Sequence, residues 1–323
     1  MKAFDSDSAI VESLGTQPGV AWIRDGLALF GWGEKLRFDP GTGSDRFERA
    51  RETMEANAGR IGFATFTFDE DDPGSILIIP ETVLEVSDRG SRILAGEPDG
   101  VPAGIPYVDM PSGRVGAVDE GSWMESLDLA LQAIARGEVE KVVLSRTVDV
   151  AFDEEVPVHR VALELVRSQG SSHTFMIDGL VGSSPELLVS KHGTLVRSVS
   201  LAGSADRTDP AAPTSLNSHK MALEHSLAAD SVEEALRPFC KSLERNPSRI
   251  ETFADIQHLA TGFEGQAVAG THLTDLVAAL HPTAAVAGTP TKAAVELIRE
   301  IEAHSRGRYA GPVGWMNAAG DGE

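Results

Sequence analysis

Two hydrophobic patterns share this chain, and the place where one gives way to the other divides it. The first third reads as strands joined by turns. Residues 21–30 hold the apolar arms AWI and LALF around Arg24-Asp25-Gly26, a hairpin signal. Residues 61–68 alternate in places, and 76–79 form a wholly apolar run that stops at Pro80. Residues 47–58 have helical spacing, and the acids at 69–72, beside Pro73-Gly74, read as a solvated turn. From Gly121 the texture changes. Trp123, Leu127, Ala130, Leu131 and Ile134 fall at helical spacing, with Gly137 as the stop.

Residues 141–150 then read as a β-branched strand, 161–166 as a short helix, and 174–177 and 187–190 as strands. Met221, His225, Ala228, Val232, Ala235 and Phe239 trace one stripe of a long helix. Residues 252–261 predict a strand, and 275–280 and 293–303 two helices, the second opened by Thr289 as N-cap and Pro290 as first residue. A strand over 309–316 and a hairpin turn over 317–322 follow. Glu323 is then the last residue, before any return strand, so the expectation is of a longer protein whose C-terminal segment is missing here. Strand clusters interrupted by helices argue an α+β fold, a large mixed or antiparallel sheet core flanked by helices. One domain is expected over 1–323, with a β-rich half at 1–120 and a second half at 121–323.

Composition narrows the function classes. The 323 residues carry 28 Lys+Arg against 49 Asp+Glu, a formal net charge of −21. Mean hydropathy is −0.10. Such acidity repels phosphate backbones and anionic lipid, which argues against nucleic-acid and membrane-surface roles. No apolar run approaches the roughly 18 residues of a spanning helix. The start, MKAFDSDSAIVES, lacks a basic region followed by an apolar one, so the expected compartment is the cytoplasm. A single cysteine, Cys240, excludes an internal disulfide and a thiolate metal cage. With no coiled coil and no long exposed apolar stretch, the expected state is a monomer.

Common nucleophile and cofactor signatures are absent: no Walker A loop, no His-Glu-x-x-His, no Gly-x-Ser-x-Gly. Gly41-Thr42-Gly43 lacks a strand–turn–helix setting and reads as a turn. Four residues carry the candidate chemistry. Lys141 opens an apolar strand; it either keeps its head in water or is dehydrated enough to act as a base. Glu186 follows Pro185 before an apolar strand, as an exposed edge acid or as a carboxyl held neutral by a nonpolar wall. Glu224 shares a helix face with Leu227 and Ala228 and needs a basic side chain or a metal as partner. His258 alternates with Ile256 and Ala260, as a buried structural histidine or as a substrate contact.

These segments, in this order, resemble the chorismate-utilising enzymes. KVVLSR (141–146), SSPELL (183–188), LAGS (201–204), Glu224-His225, QHLATGFEG (257–265), LHPTAAVAGTP (280–290) and RYAGPVGW (308–315) all look like that family. The resemblance covers about 121 to the end. It implies that Lys141 activates water for attack at C2 of chorismate, that Glu186 protonates the departing C4 hydroxyl, and that Glu224 binds Mg²⁺. It further implies that Gly203, Ser204, His258, Ala285, Gly288, Arg308 and Tyr309 surround the substrate, and that 121–323 is the chorismate-binding half.

Two positions choose within the family. Ammonia-using members carry glutamine where Lys141 stands, and salicylate synthases tend to carry threonine where Ala285 stands. Lys141 with Ala285 implies reversible, Mg²⁺-dependent isochorismate formation, with no glutamine amidotransferase partner, feeding siderophore or menaquinone biosynthesis. The alternatives are salicylate synthesis and a non-catalytic chorismate-binding paralogue or inactive fragment. Family members often carry an acid where Met221 stands, and the remaining metal glutamates are expected beyond Glu323.

Overall fold

The computed structural model describes residues 6–104, 109–117, 119–170, 172–209, 216 and 218–323, with the side chains of residues 6–8, 219, 220 and 224 outside that description. The chain begins with α1 (Ser6–Gly15), β1 (Val20–Arg24), β2 (Leu27–Trp32), β3 (Leu36–Phe38), α2 (Arg46–Glu55), β4 (Ile61–Thr65), β5 (Ile76–Ile79), β6 (Thr82–Ser87), β7 (Gly90–Ala95) and β8 (Gly113–Val115). It continues with α3 (Glu120–Ala135), β9 (Lys141–Val142), β10 (Val150–Phe152), α4 (Val158–Ser168), β11 (His173–Ile177), β12 (Leu180–Ser184), β13 (Ser190–His192), β14 (Leu195–Asp206) and α5 (His219–Leu236). Last come β15 (Cys240–Arg245), β16 (Arg249–Thr252), β17 (Ile256–Ala267), α6 (Leu273–Leu280), β18 (Gly288–Thr289), α7 (Thr291–Ile301) and β19 (Val313–Asn317).

Antiparallel pairing joins six strands into a first sheet in the order β12-β11-β1-β2-β6-β7. Two further sets, β13-β14-β17-β15 and β19-β4-β5-β3, meet through Gly322, which bridges to both Lys191 and Met316. The period-2 geometry of a strand decides what each face covers. From the first sheet, Ala21, Ile23, Phe30 and Met176 point to α1 and α4, where Leu14 and Leu163 are fully buried. Val20, Trp22, Leu29 and Ile177 point the other way, onto Phe63, Ile78 and Trp315 of the second sheet. That sheet's far side carries α2, α5 and α6, packed through Met54, Val232 and Leu276. The fold is therefore α+β, two sheets face to face between helical layers. No helix among the described residues is long and apolar enough to cross a membrane.

Several expected boundaries move. The β-branched run 141–150 is not one strand: only Lys141–Val142 pairs with β18, and Val150–Phe152 pairs with β8. The strand expected at 187–190 starts at Ser190. Helix α7 is capped by Pro290, without a side-chain cap bond, because Thr289 is held in β18. Along α3 the buried positions are Ala130 and Ala133, while Leu131 and Ile134 of the expected stripe are exposed, since the helix packs through its small residues. The acid run at 69–72 is partnered rather than merely solvated: Asp69 pairs with Arg299, and Asp72 accepts from Ser305 Oγ at 2.5 Å. The 317–322 turn forms as expected, with Asn317 N donating to Asp321 O at 2.9 Å, and Glu323 pairs back with Trp315.

Glu323 also ties the two sheets together. Its carboxylate accepts from Arg24 Nε and Nη2, both at 2.7 Å, and from Trp22 Nε1 at 3.2 Å, with His192 Nε2 at 3.3 Å. Burial alone would raise its pKa. The hydrogen bonds from His192 and Arg24 and the charge of Arg24 outweigh burial and hold it at about 2. A depressed carboxyl pKa contributes stability above the unfolded value, which is lost as pH falls through the folded value. Glu323→Gln should therefore cost about 2 kcal/mol in urea unfolding at pH 7, less than the roughly 3 that the shift implies, because Arg24 is partly solvated. The gap to the parent should close as pH falls from 4.5 toward 2; an unchanged gap at pH 2.5 would contradict the assignment.

Candidate functional site

The SSPELLV segment turns the chain from β12 into β13, and Pro185, which has no N–H to give a ladder, breaks the strand just before Glu186. The backbone N–H of Glu186 donates to Ser184 Oγ at 3.3 Å, while its Oε1 accepts from the Leu201 N–H of β14 at 3.1 Å. Its side chain lines a cavity of about 450 Å³ between the sheets, walled by Phe66, Phe175, Leu188 and Val286. Part of the residue's surface faces that cavity, but its carboxyl is packed away from bulk water. Desolvation pushes its pKa from 4.5 up to about 7, against smaller downward pulls from the Leu201 N–H and the Lys141 charge. The carboxyl is not an exposed edge acid, and near pH 7 its protonated and ionised forms are both populated.

Lys141 stands on a short ladder. Lys141 pairs with Thr289 and Val142 with Gly288, flanked by Glu140 N to Thr289 O at 2.7 Å and Val143 N to Ala287 O at 2.9 Å. Gly288 has φ +142°, and a Cβ there would lie 2.1 Å from the Lys141 carbonyl oxygen. Glycine is thus required for the close approach of the lysine strand, a different reason from the substrate contact expected for it.

The remaining candidates fall into two groups. Arg308 and Tyr309 line the cavity with Glu186. Arg308 is already engaged, donating through Nη1 to Asp178 Oδ2 at 3.2 Å and through Nη2 to Asp178 O at 2.9 Å, and Tyr309 is 65% exposed. Gly203, Ser204 and His258 sit apart from the cavity lining, where β14 bulges against β17. The bulge falls at Gly203, whose φ of +74° suits glycine. There Ser204 Oγ and His258 Nδ1 lie 2.9 Å apart, and His258 packs on Phe253. Burial lowers the His258 pKa. Ala285 is half-buried, its neighbour Val286 on the cavity wall.

The Glu224 side chain lies outside the described residues. Among the described residues no group of three or more His, Cys, Asp or Glu is placed to hold a metal ion. Helix α5, which carries Glu224, is pinned by His225, whose Nε2 lies 2.7 Å from Thr261 Oγ1 of β17.

Sequence reasoning assigned no role to His281 or to the pair Glu302 and Arg306. His281 lines the cavity and donates through Nε2 to Phe68 O at 2.9 Å; desolvation lowers its pKa to about 4, so it is neutral at pH 7. Glu302 and Arg306 form an ion pair whose side chains are each 3% exposed. Their i, i+4 spacing was visible, but on a helix end it reads as a surface pair.

A family model described as chorismate binding enzyme matches residues 110–323. The chain belongs to that family. An isochorismate synthase of Bacillus subtilis, DhbC, is 40% identical over 222 residues, 62% of this chain and 55% of the relative. A putative isochorismate synthase of Mycobacterium tuberculosis, MenF, is 36% identical over 296 residues, 84% and 76% of the two chains. The crystal structure of a putative 2,3-dihydroxybenzoate-specific isochorismate synthase, DhbC from Bacillus anthracis, superimposes with TM-score 0.83 at 27% identity, covering 98% of this chain and 86% of that one. The chain spans about half the length of the first of these relatives. Family membership confirms the resemblance read from the seven motifs, and the superposition confirms the α+β architecture.

A raised carboxyl pKa stabilises the fold below the unfolded value, and that stability is lost as pH rises through the folded one. Glu186→Gln keeps an acceptor for the Leu201 N–H without the ionisation. The variant should match the parent's stability at pH 4 and exceed it by about 3 kcal/mol at pH 8, measured by urea unfolding. Equal stability at both pH values would remove the neutral acid.

Proposed function

We propose that the protein is an isochorismate synthase, converting chorismate reversibly to isochorismate. The observation that carries this reading is the Glu186 carboxyl, held near neutrality in an apolar cavity within reach of the Lys141 charge. Exchange of a ring hydroxyl needs a base for the incoming water and an acid for the departing group, with separated pKa values. In the proposed step, Lys141 takes a proton from water as its oxygen bonds to C2. Both ring double bonds shift by one position toward C4, the C4–oxygen bond breaks, and Glu186 gives its proton to the leaving hydroxyl, which departs as water. One water enters and one leaves, so the net reaction is an isomerisation.

The positive charge on Lys141 lowers the Glu186 pKa, so the state of one group bears on the state of the other. Ala285, beside the cavity wall, supports a reaction that stops at isochorismate. Mg²⁺ at Glu224 belongs to the proposal through the family resemblance alone, and no step here runs through it. A cytoplasmic monomer without an amidotransferase partner, serving siderophore or menaquinone synthesis, completes the reading.

Purified protein with chorismate, with and without Mg²⁺, should yield isochorismate by chromatography, and no aminated product when ammonium salt is added. Lys141→Ala and Glu186→Gln should each lower kcat by a factor of about 100 or more while retaining the parent's circular dichroism. Salicylate as the product would replace the proposed reaction with its elimination variant. Near-normal turnover by Lys141→Ala would remove the base.

A further inference from the structure

The ladder that carries Lys141 ends after Val143, yet the strands stay together beyond it. The Val143 and Val286 carbonyls both turn to one guanidinium: Arg306 Nη2 donates to Val143 O at 2.6 Å, and Nη1 to Val286 O at 2.9 Å. Glu302 holds that guanidinium, accepting from Arg306 Nε at 2.9 Å and from Nη2 at 2.5 Å. The same carboxylate takes the Ser145 N–H at 2.7 Å and the Ser145 hydroxyl at 3.1 Å, with His304 Nε2 3.3 Å from that hydroxyl. The guanidinium lies 4.3 Å from the centre of the Phe68 ring, on the side chain that anchors this small core with Ala287 and Ile298.

Arginine suits this position because its fork is fixed. One planar group can address two carbonyls and a carboxylate at once, whereas an ammonium is a point charge. A buried ion pair of this kind contributes weakly to net stability, since desolvation offsets its attraction. What it does supply is geometry. We propose that the buried Glu302–Arg306 pair is the positioning device of this site, bridging the Lys141 strand to the 285–289 segment where their ladder ends and so fixing where the Lys141 ammonium stands relative to Glu186. Neither side chain is itself part of the cavity lining. They act through the backbone of Val143 and of Val286, the latter on the cavity wall.

The proposal rests on Lys141 and Glu186 being the working pair, and its test separates the two ideas. Arg306→Met alone leaves the buried Glu302 carboxylate without its counter-charge and can fail to fold. The informative variants are Arg306→Lys, which keeps the charge but not the fork, and Glu302→Gln/Arg306→Met, which leaves no buried charge. Arg299→Gln on the exposed face of α7 is the control. Each is compared with the parent by circular dichroism, by chorismate turnover, and by a carbon-13 titration of the Glu186 carboxyl, assigned by its loss in Glu186→Gln.

Both clamp variants should fold, lose about 100-fold in kcat with KM within about threefold, and show the Glu186 midpoint displaced upward by about half a pH unit or more. Arg299→Gln should match the parent in all three. If the parent does not turn over chorismate, the proposed function fails, while the titration still reads the clamp. A Glu186 midpoint unchanged in both folded clamp variants would show that Lys141 has not moved and would overturn the positioning role.

Discussion

Taking the Glu186 carboxyl out of water disfavours its ionised form, and the surrounding fold decides how far that goes. Two sheets packed face to face leave an apolar cavity between them, and the break at Pro185 delivers the carboxyl to its wall. A single backbone N–H from Leu201 and the charge of Lys141 are the opposing forces, and they are too weak to restore an ordinary acid. The register of β14, the placement of β9 against β18 and the apolar lining all converge on this one group.

A second carboxyl on the same cavity shows that burial is not the whole cause. Glu323 lines it too, yet its pKa falls to about 2 where that of Glu186 rises to about 7. The difference is the donor set. Arg24 grips Glu323 through two nitrogens, with Trp22 and His192 beside it, whereas Glu186 receives one neutral donor. The two environments push two like groups apart, leaving one carboxyl ionised and the other with a raised pKa. Glu323 fastens β1 to the second sheet, whereas the Glu186 carboxyl keeps a protonated form in quantity near pH 7.

Much of this was legible in the sequence because local rules and packing agree there. The β1–β2 hairpin around Asp25-Gly26, the helix at 46–55 and the long helix carrying His225 and Val232 all follow from period and turn chemistry. The seven ordered motifs led to the family, and Lys141 and Glu186 were named with it. What stayed hidden depends on partners distant in the chain. Arg308 is claimed by Asp178, 130 residues away, and Gly288 is glycine because the Lys141 carbonyl lies against it. Residues 141–150 resembled one continuous strand because they are rich in β-branched residues, but beyond Val142 the Val143 carbonyl and Ser145 are held by the side chains of Arg306 and Glu302 rather than by a ladder. No periodicity records a side chain that substitutes for a neighbouring strand.

The most direct measurement is the infrared difference spectrum between the parent and Glu186→Gln at pH 6. With a pKa of about 7, the Glu186 carboxyl is about nine-tenths protonated at that pH, and the difference spectrum should show a protonated carboxyl band that disappears as pH is raised past 8. A spectrum holding only carboxylate bands at pH 6 would mean that Glu186 is an ordinary ionised acid, and the account of this site as an acid–base pair would not stand.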